Sequence, residues 1–229
     1  ISTRLVGSEM CIRDRYLDGR HVGTAKNEDT FGDYPPFAMS NYSQWGYTVS
    51  ASSSHASYPP HYAFNDSATH GGSANIWITA NSKYNASDGT PTGSADTTVV
   101  DGTNQVGEWL QLEFPHQLRV SYMDIAPHGQ NTASLKRSPK NGIIAGSRDG
   151  STWETMKSWT GVTDWALDGT SGVYKTFVID TNTDRAYKYI RIIITNTVGG
   201  NDAYGALSEV KIFGHRENDL VRFPDSVNT

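Results

Sequence analysis

Gly107-Glu-Trp-Leu-Gln-Leu-Glu-Phe114 alternates without a break. Leu110, Leu112 and Phe114 fall on one side, and Trp109, Gln111 and Glu113 fall on the other. A period of two is what a strand with one buried face requires. Two later segments repeat the pattern. In Tyr187-Lys-Tyr-Ile-Arg-Ile-Ile-Ile-Thr195, Ile190, Ile192 and Ile194 oppose Tyr189, Arg191 and Thr195. In Leu207-Ser-Glu-Val-Lys-Ile-Phe-Gly214, Val210 and Ile212 oppose Glu209 and Lys211. Between the first segment and these two, Gly146-Ser-Arg-Asp-Gly-Ser-Thr-Trp153 carries Asp149-Gly150, a hairpin turn signal, because glycine accepts the positive φ of a tight turn. Trp153, closing that hairpin, suits a core plug.

Outward from these segments, the spacing predicts strands near 46–54, 108–114, 119–126, 142–147, 152–158, 173–179, 187–196 and 206–213. Turn signals separate them, the rhythm of an all-β sandwich or jelly roll. No segment sustains helical periodicity, and no internal repeat is evident. Residues 55–105 are rich in Ser, Thr, Asn, Gly and Tyr with little periodicity. So long an irregular stretch in a compact domain is usually functional or disordered. Residues 16–37, with Pro35-Pro36, read as a linker or the tail of a preceding unit, and 215–229 as the start of a following one. The chain reads as a piece of something longer.

The chain has 229 residues and a formal charge of −5. Residues 1–15 are set aside, because Leu5-Val-Gly-Ser-Glu-Met-Cys-Ile-Arg-Asp-Arg15 resembles a translated sequencing adapter and lacks the apolar run of a signal peptide. Without them the chain is one unit more acidic and loses Cys11, its only cysteine. What remains suffices for one large β domain. A mildly acidic chain with no basic run is a poor nucleic-acid or anionic-lipid binder. No apolar run approaches transmembrane length. Without cysteine there is neither a disulfide staple nor thiol chemistry. Asn41, Asn65 and Asn85 open glycosylation sequons that matter only on a eukaryotic secretory path.

Taken in order, the four segments resemble the discoidin family, also called the coagulation factor V/VIII type C family, which includes many galactose-binding-like modules. Its marks are a G-x-W-x-Q strand, an S-x-D-G-x-x-W hairpin, a Tyr-apolar-Arg-apolar strand and a closing strand that begins with Glu and ends with Gly. An entry pattern is present too, Tyr47-Thr-Val-Ser-Ala-Ser-Ser54 followed by Tyr62-Ala-Phe-Asn-Asp66. The resemblance covers roughly residues 38–214 and implies a discoidin-like jelly-roll β-sandwich.

The resemblance also implies two sites. The family often holds a structural calcium ion where the first long loop folds against the last strand, and calcium takes six to eight oxygens. The matching positions here are Asn65, Asp66 and Thr69 in Ala63–Thr69, closed by Glu209. Asn65 stands where Asp is usual and Asp66 where Gly is usual, which lowers the ligand charge. In sugar-binding relatives, a His and a basic residue of the loop 127–139 hydrogen-bond the ligand. That implies His128 and Arg137, with Asn131 in the same loop. Sugars also need aromatic faces beneath them, and Tyr58, Trp77, Trp165 and Tyr204 stand in loop-like contexts.

No nucleophile elbow, His-Glu-x-x-His or phosphate-binding loop is present. The reading is therefore a non-catalytic glycan-binding or adhesion module of a larger extracellular, cell-surface or virion-surface protein. Its expected partner is a surface glycan or glycoprotein, and its flanking domains lie outside this sequence. The alternatives are a protein-binding module or structural spacer of the same fold, or an appendage to an enzyme in those flanks.

Overall fold

A computed structural model describes residues 13–17, 20–25, 31–69, 75–179, 185–200 and 202–217. Strands β1 (Arg13–Leu17) and β2 (Arg20–Ala25) form a separate two-stranded hairpin. Then follow β3 (Gly32–Tyr34), β4 (Ser43–Gln44), β5 (Tyr47–Ala51), β6 (Trp77–Ile78), β7 (Thr97–Val100) and β8 (Thr103–Val106). The long β9 (Glu108–Ala126) leads to β10 (Pro139–Ser147), β11 (Glu154–Trp159), β12 (Leu167–Asp168), β13 (Ser171–Gly172) and β14 (Lys175–Val178). The last are β15 (Tyr187–Thr197), β16 (Ala206–Leu207) and β17 (Glu209–Arg216). Short 3₁₀ turns cover Pro60–Phe64 and Ser134–Arg137.

β9 organises the sandwich. Its first half lies between β15 and β5, with Leu112 opposite Ile190 on one side and Val49 on the other. Its second half lies between β17 and β14, with Ile125 opposite Val210 and Lys175. The change occurs where β15 pairs Tyr187 with Leu118 but Tyr189 with Glu113, so Phe114–Gln117 stand against a single residue. Pro115 sits in this bulge; it has no N–H to give to a ladder and marks the point where the strand turns. One layer is therefore β11-β10-β15-β9-β5-β4, and the other is β14-β9-β17-β3. All these pairings are antiparallel. This is the expected jelly-roll β-sandwich.

The alternating residues do what their period requires. Leu110, Leu112, Phe114, Ile190, Ile192, Ile194, Val210 and Ile212 are all buried in one core, together with Met123, Ile125 and Ile144. Each such side chain stabilises the fold by about 1.5–3 kcal/mol relative to exposure. A second, smaller core forms on the outer face of the first layer from Val100, Ile143, Ala145, Trp153 and Ile193, with Trp109 and Tyr189 packed against it. Trp153 is thus a plug, but of the outer core. Asp149 Oδ1 accepts N–H bonds from Ser151 (2.7 Å) and Thr152 (2.8 Å), and Gly150 takes φ +77°, as the Asp-Gly turn requires.

Two expectations need revision. The domain begins before residue 38: Gly32–Tyr34 pairs with the last strand, Tyr34 opposite Ile212, and Tyr34 is buried. Residues 55–105 are also less irregular than their composition implies. They hold a 3₁₀ turn, β6, and the β7–β8 hairpin, whose turn residues Asp101 and Gly102 both have positive φ. Met10 and Ile12, in the segment set aside, lie outside the described residues.

Candidate functional site

The loops that leave β9 and enter β17 meet at one edge of the sandwich. The 127–138 loop is fixed first by its backbone. Ser208 Oγ donates to the Pro127 carbonyl at 2.6 Å, and the Gly172 and Gly199 amides donate to the carbonyls of Ala68 and Lys136. A Cβ at Gly129 would lie 2.5 Å from the Thr170 carbonyl oxygen, so only glycine fits that approach. Asn131 Oδ1 accepts from the Ser134 N–H (3.0 Å) and hydroxyl (3.1 Å). Asn131 is therefore a cap for the 3₁₀ turn that carries Arg137.

Arg137 is the centre of the patch. Its Nε donates to both carboxylate oxygens of Asp202, at 3.1 and 2.9 Å, and its Nη2 lies 2.5 Å from Oδ2. Its Nη1 lies 3.1 Å from His128 Nδ1, and its Cζ lies 5.4 Å from the centroid of the Tyr204 ring. Arg137 and Asp202 keep about a fifth to a quarter of their side-chain surface in solvent (19% and 24%). His128 is only 1% exposed. It was expected to reach a ligand; its place is behind Arg137, holding the guanidinium.

Tyr204 and Tyr58 pack against one apolar cluster of Ile76, Ile78 and Ala206. The His55 ring lies between them, 5.3 Å from Tyr58 and 6.0 Å from Tyr204. The local chain is tied by β16 pairing with β6, Ala206 opposite Ile78, and by the His55 amide donating to the Ile78 carbonyl. The result is a half-exposed row of three rings beside a charged, bidentate pair.

Of the expected aromatic contacts, Tyr58 and Tyr204 are in this patch. Trp77 and Trp165 are not, because both are core residues, 0% and 5% exposed. Their indole N–H groups donate inward, to the carbonyls of Ser53 and Pro139. The loop context misled here: Trp77 lies in the short strand β6, opposite Leu207, and Trp165 packs on Phe177 in the core. Asp202 and His55 were missed. The Arg137 charge was the signal for an acid partner, but nothing in the spacing points to Asp202.

The four residues matched to a calcium site lie near one another with their oxygens engaged elsewhere. Glu209 is 2% exposed, and its Oε2 accepts from the Ser67 N–H at 3.1 Å. Burial pushes its carboxyl up to about 8. Asp66, with φ +59°, turns its Oδ1 to Lys211 Nζ at 2.6 Å. Asn65 Oδ1 accepts from the Ser67 N–H, and Thr69 Oγ1 shares a 2.7 Å bond with Ser171 Oγ. The Ser67 N–H is shared by Asn65 Oδ1 and Glu209 Oε2, and the Lys211 ammonium is bound to Asp66. As arranged, these donors do not fit a calcium ion, which needs six to eight converging oxygens. Among the described residues no cluster of three His, Cys, Asp or Glu forms a metal site, and no helix is long and apolar enough to cross a membrane.

Comparison with known proteins agrees with this architecture. No curated protein matches the sequence. Among solved structures, the module CBM32-3 of a family 31 glycoside hydrolase from Clostridium perfringens aligns at TM-score 0.51 and 13% identity, over 74% of this chain and 91% of that one. The family 32 carbohydrate-binding module of C. perfringens NanJ, in complex with galactose, aligns at TM-score 0.47 and 16% identity, over 73% and 93%. The lectin domain of lectinolysin, complexed with Lewis B antigen, aligns at 0.46 and 14%, over 74% and 93%. At 13% identity the likeness to CBM32-3 is one of fold. The family model described as Sad1 / UNC-like C-terminal matches residues 100–216, which runs from the end of β7 through β17. The chain belongs to the Sad1/UNC-like C-terminal family, on a discoidin-like fold.

Proposed function

We propose that this domain is a non-catalytic carbohydrate-binding module of a larger extracellular or virion-surface protein, and that it binds through Arg137, Asp202, Tyr204, Tyr58 and His55. The observation that carries the reading is the bidentate Arg137–Asp202 pair set beside the Tyr204 ring. Such a pair offers N–H donors and carboxylate acceptors side by side, which suits two neighbouring hydroxyls of one sugar. The rings supply an apolar floor for its C–H face. His128 holds the guanidinium and does not touch the ligand. A fold shared with a carbohydrate-binding module supports the reading.

A shallow, half-exposed site of this size binds weakly, with a dissociation constant of about 0.1–1 mM. Useful adhesion then needs several copies acting together. The test is a glycan array probed with a multimerised domain, alongside the variants Arg137→Ala and Tyr204→Ala. Binding of defined glycans that both variants lose supports the reading. Binding that survives both removes the site assignment, and no binding at all favours a protein-binding or spacer module.

A further inference from the structure

The β4–β5 hairpin reverses at Trp45-Gly46, between Gln44 and Tyr47. Both turn residues have positive φ, +48° and +85°, the pattern of a two-residue type I′ turn. Asn, Asp or Gly are the usual residues there, and a bulky side chain at positive φ is an outlier. Trp45 is also 75% exposed, the most exposed large apolar residue among those described. Such a turn leaves most of a large ring in solvent, an arrangement the fold alone does not call for.

The indole is nevertheless held. The Phe37 ring packs edge-on to it at 4.4 Å and in turn meets Tyr47 at 5.4 Å, and Tyr47 meets the core residue Phe114. Gly46 is pressed against Pro115, where an added Cβ would come within 2.9 Å of that ring's own Cβ. The turn is therefore fixed by packing that reaches the core. Around it stand neutral polar groups: Ser40 donates to Gln44 Oε1, and Ser43 Oγ meets Thr48 Oγ1 at 3.2 Å. From Tyr34 to Asn65 the chain contains no Asp, Glu, Lys or Arg.

We propose that this hairpin is a second carbohydrate-binding site, for a neutral saccharide stacked on Trp45 with Ser40, Asn41 and Gln44 at its rim. The hairpin carries no charge of its own, Glu113 opposite Thr48 is balanced by Lys188 at 2.9 Å, and Arg216 is held over the Tyr34 ring, so a neutral occupant is favoured. Anionic lipid surfaces and nucleic acids are drawn by Lys and Arg, and this stretch has none. A rigid, exposed ring with amide and hydroxyl neighbours matches the apolar face and hydroxyl rim of a sugar. The site shares no residue with the Arg137 patch, so one domain would be bivalent.

The experiment is an amide and indole ¹⁵N–¹H titration of the domain with lactose, cellobiose and methyl α-mannoside, each to about 100 mM. At least one sugar should shift the Trp45 indole signal and the amides of residues 40–44. Both should persist in the Arg137→Ala/Tyr204→Ala protein, and in Trp45→Gly, which lacks the indole, the shifts of the 40–44 amides should weaken at least ten-fold. That variant keeps its fold, because glycine adopts the turn without strain. If no sugar moves the Trp45 signal, the inference fails, whatever happens at the first patch. It fails equally if the signal responds to protein concentration, which marks a second copy, or to neutral phosphatidylcholine vesicles, which mark a membrane.

Discussion

Arg137 Nη1 lies 3.1 Å from Nδ1 of His128, and the guanidinium can only donate. The histidine nitrogen must therefore accept, so the ring carries no proton on Nδ1. His128 is almost fully buried, and this bond fixes the plane of the arginine that Asp202 grips from the other side.

His128→Leu should therefore disturb both folding and binding. It leaves a buried N–H donor without an acceptor, at a cost of about 1–3 kcal/mol. His128→Asn puts a carbonyl oxygen near the position of Nδ1 and should recover most of the loss. Urea unfolding and glycan binding of both variants check this. Equal losses would show that the ring acts by packing alone.

The sandwich was legible because its strands have one wet face. Leu110–Phe114 and Ile190–Ile194 announce their burial by alternation, and the core follows them. Ile193 broke the rule, being buried on the other side, because the β7–β8 hairpin covers the outer face there. That hairpin was itself written in the sequence as Val99-Val100-Asp101-Gly102, and the surrounding Ser- and Thr-rich composition obscured it. The candidate site was half legible. Arg137, Tyr204 and Tyr58 stand where their loops suggested. Asp202 and His55 arrive from loops whose meeting is a property of topology, which no local pattern encodes. Trp77 and Trp165 show that aromatic type alone does not separate a ligand platform from a core plug.

Glu209 makes stability depend on pH. Its carboxyl titrates at about 8 in the fold against 4.5 in the unfolded chain, because burial disfavours the charge. Between those values the native state holds one proton more, so stability is full below 4.5 and is lost as pH rises through 8. The slope is at most about 1.4 kcal/mol per pH unit. The Ser67 N–H, the Lys211 ammonium and the Asp66 N–H oppose the shift, and the Asp66 carboxylate reinforces it. Glu209→Gln should flatten the profile and stabilise the protein near pH 8. His61, whose burial lowers its pKa, has the opposite slope in both proteins and cancels in the comparison. Urea melts at pH 5, 6.5 and 8 decide it, and parallel slopes in the two proteins would refute the assignment.

Calcium should matter little. Lys211 already supplies a cation to Asp66, 2.6 Å away, beside Glu209. Melting in 2 mM calcium and in excess chelator should give midpoints within about 1 °C, since an ion bound only by the native state must raise the midpoint. Lys211→Met should cost no more than about 1 kcal/mol, because the Asp66 side chain is 64% exposed and solvent screens the pair. A calcium-dependent midpoint in the parent protein would mean that the 64–69 loop binds an ion despite the lysine.

On the outer face one guanidinium lies between two indoles. The Arg191 guanidinium lies 3.8 Å from the ring centroid of Trp109 and 4.0 Å from that of Trp153. Its Nε and Nη2 donate to Gln111 Oε1 at 3.2 and 2.7 Å, and its Nη1 donates to Thr98 Oγ1 at 3.0 Å. One side chain thus joins β15, β9, the β7–β8 hairpin and Trp153, which closes the Asp149-Gly150 hairpin. Burial lowers its pKa to about 10, which leaves it charged at neutral pH. A desolvated cation between two indoles contributes about 2 kcal/mol or more. Lysine has neither the planar group to fill the gap nor the fork to reach Gln111 and Thr98 together. Arg191→Lys should therefore cost roughly as much as Arg191→Met, about 2–4 kcal/mol in urea unfolding. A double-mutant cycle with Trp109→Leu isolates the stack, and its coupling energy should exceed about 1 kcal/mol. Additivity of the two substitutions would show that the rings and the guanidinium merely lie close.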